Sequence, residues 1–120
     1  MNNTPINLTT ASDAELQFAV VTALGWRRDP STLEAWIPPG ERAMPSGCYY
    51  TAKPADYVHS LDAAFTLLGR NYDISFREGT PQVAAFFPLL LEEFKASAPT
   101  LCRAICGVYL RSKGVAVIDS

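Results

Sequence analysis

Apolar residues recur at helical spacing in three stretches of the chain and alternate with polar ones in a fourth. Leu16, Ala19, Val20, Ala23 and Leu24 lie on one helical face. They follow Ser12-Asp13-Ala14-Glu15, which reads as a capping box. Gly25 stands where a helix end favours a left-handed residue. A second face is formed by Leu61, Ala64, Phe65 and Leu68, with Ser60 as cap, Asp62 in the first turn and Gly69 at the close. This helix has barely three turns. The third face, Leu101, Cys102, Ala104, Ile105, Val108 and Tyr109, is the broadest. Pro99 suits its first turn, Gly114 ends it, and Arg103, Gly107 and Arg111 form a polar stripe along it.

Tyr72, Ile74 and Phe76 alternate with Asp73, Ser75 and Arg77, the period of a strand with one wet face. Glu78-Gly79-Thr80-Pro81 reads as a turn into a second strand, Gln82 to Phe87, apolar on both faces. Pro88 interrupts it. Residues 89–97 carry both signals, Leu-Leu-Glu-Glu for helix and Phe94/Ala96 alternation for strand. A strand from Leu91 to Ser97 is preferred, because a two-stranded hairpin alone is only marginally stable. The tail from Val115 to Ile118 suits an edge strand. Between Trp26 and Pro54 the pattern weakens to two short candidate strands, 33–37 and 48–51. The reading is one domain over 1–120 with a long ordered loop at about 27–55. Its class is α+β, a small mostly antiparallel sheet flanked by helices.

Composition narrows the picture. Hydrophobic residues make up 48% and charged residues 18% of 120 positions, which excludes a disordered chain. A net charge of −2 does not single out nucleic acid as the partner. The longest apolar run, Val83 to Leu91, is broken by Pro88 and too short to span a bilayer. Met1 to Thr10 lacks Lys and Arg, so no secretory leader is expected. Three cysteines are too few for a disulfide framework. The expected compartment is the cytoplasm.

Chemistry-bearing patterns are sparse. Cys102 and Cys106 are one helical turn apart, yet only Cys48 and His59 remain to complete a zinc site. No metal or cofactor is expected. One histidine leaves a single Cys–His dyad without a supporting motif. His59 precedes the Ser60 cap, where the helix dipole disfavours imidazolium, so a neutral ring near Tyr57 is expected. Arg27, Arg28 and Arg42 share the long loop with Trp36, Tyr49 and Tyr50. Arginine among aromatics is the composition of interface hot spots and of base-stacking pockets. The alternative is aromatics buried under the loop and arginines in solvent. With His59, these are the candidate partner-binding residues.

Tyr57-Val58-His59-Ser60-Leu61-Asp62-Ala63-Ala64 resembles the Tyr-x-x-Ser-Leu-Asp-Ala-Ala of the phage ABA sandwich domain. Leu101-Cys102-Arg103-Ala104 is similar to the Leu-Cys-x-Ala of its last helix, and Leu24-Gly25-Trp26 fits the close of its first. The resemblance implies an α/β/α sandwich in a phage or prophage protein and carries no catalytic residues. It makes the expected function non-enzymatic: binding of a host protein, including a defence component, or of a phosphate-bearing small ligand. A small DNA-binding regulator is the alternative, followed by a Cys/His hydrolase. The apolar run from Phe86 to Leu91 also predicts a homo-oligomer.

Overall fold

The computed structural model describes residues 4–30, 32–45 and 48–119, with residues 32–34 described through their backbone. Helix α1 spans Asp13–Leu24. Ser12 Oγ accepts from Glu15 N–H at 3.1 Å, and the Ser12 hydroxyl faces the Glu15 carboxylate at 3.2 Å. Gly25 ends the helix at φ 105°, its N–H directed at Thr22 and Val21 carbonyls. Helix α2, Leu61–Phe65, is capped by Ser60 as expected but is shorter than three turns. After Phe65 the bonds tighten: Leu67 N–H reaches Ala64 C=O and Leu68 N–H reaches Phe65 C=O. Helix α3, Leu101–Ser112, takes Thr100 as its cap, so Pro99 lies just outside the helix rather than in its first turn.

Strand β1 is Ile6–Asn7, β2 Arg27–Asp29, β3 Thr32–Ile37, β4 Tyr72–Arg77, β5 Thr80–Phe87, β6 Glu92–Ser97 and β7 Val117–Ile118. The main sheet is antiparallel in the order β4-β5-β6. Glu78 and Gly79 turn β4 into β5 with φ of 53° and 82°, the two positive angles of a type I′ hairpin. Two further pairs are separate from the main sheet, an antiparallel β2–β3 hairpin and a parallel β1–β7 pair. The tail therefore docks as a strand, against a stretch whose polar sequence gave no strand signal. Residues 48–51 form no strand. Cys48 N–H bonds back to Pro45 C=O, and no partner strand lies beside them among the described residues. The long loop instead opens with β2, which has no alternating signal of its own.

The class is α+β. Helix α3 occupies the centre: Ala104 to Leu110 are all buried. One side of α3 packs on β5 and β6, the other on α1 and α2. The layers thus run α1 and α2, then α3, then the sheet, whose far side faces solvent. Leu8, Leu16, Val20, Leu68, Val83 and Ile105 fill the core between them.

The arginine stripe on α3 is not a wet face. The side chain of Arg103 is 12% exposed and donates to the carbonyls of Leu8 (2.9 Å) and Ala11 (2.8 Å). Arg111 donates to the Lys95 carbonyl, to Val117 C=O at 2.8 Å and to Asp119 at 2.9 Å. The stripe is where α3 clamps the segment between β1 and α1 at one end and β7 at the other.

Candidate functional site

His59 sits in the turn leading into α2 and is held between two carboxylates. Asp56 Oδ1 accepts the backbone N–H of Val58 (3.3 Å) and His59 (3.1 Å), which folds the turn. Asp56 Oδ2 then lies 2.9 Å from His59 Nδ1, and Asp13 Oδ2 lies 2.9 Å from Nε2. Asp13 Oδ1 accepts from Arg103 at 2.7 Å. The cluster therefore ties α1, the 56–60 turn and α3 together.

These contacts overturn the expected neutral imidazole near Tyr57. The hydrogen bond with Asp13, then that with Asp56, holds His59 above its ordinary value of 6.5. Arg103 and then His59 hold Asp13 below its ordinary 3.8. Burial pushes Asp56 up, but its bonds to His59 outweigh that and leave it low. Two carboxylates at hydrogen-bond distance act more strongly than one turn of helix dipole. Asp56, three positions before His59, is a local signal for such a turn, whereas Asp13, 46 positions away, gives none.

A pH dependence follows. His59 is raised, so its contribution is full below 6.5 and lost as pH climbs through its folded value. Asp13 and Asp56 are lowered, so theirs is full above 3.8 and lost as pH falls through their folded values. The melting-temperature gap between the protein and His59→Gln should be widest between those limits and close on either side. The cluster is solvated, with His59 62% exposed, so the gap should be only about 2–4 °C. A gap that stays constant from pH 4 to 9 would show that His59 is not held as imidazolium.

Cys102 and Cys106 are poorly placed for nucleophilic work. Burial, then the neighbouring Cys102, pushes Cys106 up to about 12. Its thiol points at the Tyr57 carbonyl, 3.5 Å away. Burial, then Asp56, raises Cys102 also. Among the described residues no group of His, Cys, Asp or Glu side chains is arranged to hold a metal ion, and no helix is long and apolar enough to cross a membrane.

The arginine and aromatic candidates make a run of local contacts around the β2–β3 pair. Across the β2–β3 pair, the Arg28 guanidinium lies 4.1 Å from the centre of the Trp36 ring. Arg27 donates to the Glu41 carbonyl, and Tyr50 donates to the Arg42 carbonyl at 2.7 Å. Tyr49 is 59% exposed, whereas Trp36 and Tyr50 are half-buried. The aromatics thus divide between the body and the solvent instead of filling one core. His59 is instead engaged by Asp13 and Asp56.

The open face of the sheet carries two shallow grooves. One, about 310 Å³, is lined by polar groups including Asp73, Ser75, Gln82, Lys95 and Asp119. The other, about 330 Å³, runs along Arg70, Asn71, Asp73, Phe86 and Glu93. Beyond them projects the β5–β6 turn. Leu90 N–H bonds Phe87 C=O at 3.0 Å, and Leu91 N–H bonds Pro88 C=O at 3.3 Å, so the turn is ordered. Its side chains are nonetheless in water: Leu89 is 100%, Leu90 49% and Leu91 79% exposed. Compared with known proteins, the chain matches no family model, no curated protein and no solved structure.

Proposed function

We propose that the chain is a non-enzymatic binding protein whose contact element is the β5–β6 turn, inserted into an apolar cleft of a partner protein. The observation that carries this reading is three consecutive exposed leucines on a hydrogen-bonded turn. Leu91 strengthens it. Its φ is +54°, a left-handed angle that favours glycine or asparagine and disfavours a branched side chain. Neither packing nor backbone geometry calls for leucine there, which leaves the side chain itself as the reason. A convex apolar tip needs a concave receptor, and the grooves of this chain carry charged side chains, Asp73, Lys95 and Asp119 in one and Arg70, Asp73 and Glu93 in the other. Binding is favoured over catalysis because carboxylates engage both nitrogens of His59 and because Cys102 and Cys106 are raised. The resemblance to the phage ABA sandwich domain would make the partner a host protein, including a defence component.

Burying a leucine is worth roughly 1.5–3 kcal/mol. Leu89→Asp/Leu91→Asp should therefore weaken partner binding about a hundredfold or more. Capture from host lysate should retain a protein on the wild type that the double variant releases, with the circular dichroism of the two chains identical. Leu91→Gly should raise stability by about 0.5–1 kcal/mol while weakening the same complex. A partner held equally by all three chains would sink the proposal.

A further inference from the structure

Strand β4 forms an edge of the main sheet. Strand β4 pairs with β5 on one side, and among the described residues no strand pairs with its other side. Its residues are exposed except Ile74, which is half-buried; Tyr72 is 40% and Phe76 64% in solvent. Phe86 N–H donates to Asn71 C=O at 2.8 Å. Given the alternation of an antiparallel ladder, the backbone groups of Asp73, Ser75 and Arg77 then point toward β5. Those of Tyr72, Ile74 and Phe76 point outward at the open edge.

We propose that β4 pairs antiparallel with β4 of a second copy about a two-fold axis at Ser75, joining two three-stranded sheets into one. Charge selects this register. With Ser75 opposite itself, Ile74 faces Phe76 of the second copy, and the two exchange both backbone hydrogen bonds. On the open face, Asp73 then faces Arg77 of the second copy, and the axis repeats that pair. Asp73 and Arg77 make no ion pair within the chain among the described residues. The neighbouring registers do worse: centred on Ile74 or on Phe76 they set Asp73 or Arg77 against serine, and centred on Asp73 they set two aspartates face to face. Opposite charges in a directly facing pair stabilise a ladder, and like charges oppose it. The pairing also covers the exposed ring of Phe76 and removes an open sheet edge. The interface is isologous and closes at two copies. It leaves the leucine turns free, so it stands apart from the binding role proposed for them.

Analytical ultracentrifugation of the full chain in reducing buffer, over micromolar to submillimolar concentrations, tests this. A dimer is expected. Because the axis repeats each pair, Asp73→Arg or Arg77→Asp alone turns both attractions into repulsions. Either should weaken the dimer about tenfold or more. The exchange Asp73→Arg/Arg77→Asp should restore it. In a Cys48→Ser background, Ser75→Cys should form a disulfide-linked dimer on mild oxidation, since facing residues of a non-hydrogen-bonded pair lie about 4.5 Å apart at Cα. A wild-type monomer throughout, with no Ser75→Cys cross-link, would overturn the proposal. So would a dimer indifferent to the reversals, or one abolished by Leu89→Asp/Leu91→Asp.

Discussion

Arg103→Met is expected to destabilise the fold by about 3 kcal/mol and to lower the melting temperature by roughly 10 °C. The side chain of Arg103 is 12% exposed and its guanidinium holds three oxygens: the carbonyls of Leu8 and Ala11 and the Asp13 carboxylate. Methionine keeps the aliphatic stem and its packing but removes every donor. Leu8 is fully buried, so its carbonyl has little access to water as a substitute partner. Arg103→Lys should fall between the two, because an ammonium is a point donor and cannot span three acceptors set by a planar fork. Asp13 also carries His59, so Arg103→Met and His59→Gln should not add. Thermal denaturation of the two single variants and the double variant measures this. An Arg103→Met chain melting within about a degree of the wild type would show that these bonds contribute nothing net.

That clamp also marks the boundary of what the sequence makes readable. Several signals contained within a few residues held: Ser12 and Ser60 as caps, Gly25 as the left-handed close, the Tyr72–Arg77 alternation and the strand over Glu92–Ser97, although Pro99 stays outside α3 and α2 stops short of Gly69. Signals that depend on distant segments did not. Ile6–Asn7 is a strand because Val117–Ile118 lies beside it, not because of its own composition. Residues 48–51 resemble a strand locally but find no ladder. The arginine stripe has the spacing of a solvated helix face, and the termini that cover it are 95 and 6 positions away. His59 follows the same rule, since the local helix dipole argued for a neutral ring and a carboxylate from α1 reversed it. The apolar turn was visible as a run from Phe86 to Leu91, but its exposure and the left-handed Leu91 required the backbone.

Gly107→Val should destabilise the fold by about 3 kcal/mol. Gly107 lies between Arg103 and Arg111 on the clamped stripe, where Leu8, the residue after β1, packs on α3. A Cβ there would stand 2.5 Å from Leu8 Cδ1, 3.1 Å from Ala96 Cβ and 3.2 Å from Leu8 Cδ2. Leu8 is 0% and Ala96 3% exposed, so neither can swing into solvent to make room. Two opposing terms decide the sign. Replacing a mid-helix glycine by alanine gains up to about 1 kcal/mol of helix propensity. Overpacking a filled core costs about 1–3 kcal/mol. Alanine should therefore come out near neutral or modestly destabilised, whereas valine adds two methyl groups and gives back propensity through its β-branch. The contact with Leu8 can be isolated by removing it. Leu8→Ala alone should cost about 2–5 kcal/mol through the cavity it leaves. Combined with Gly107→Val, part of that cavity is filled, so the double variant should be more stable than the sum of the singles predicts by at least about 1 kcal/mol. Strict additivity in urea denaturation would mean that the glycine is not there to admit Leu8, and that the packing of Leu8 over α3 leaves more room than these distances allow.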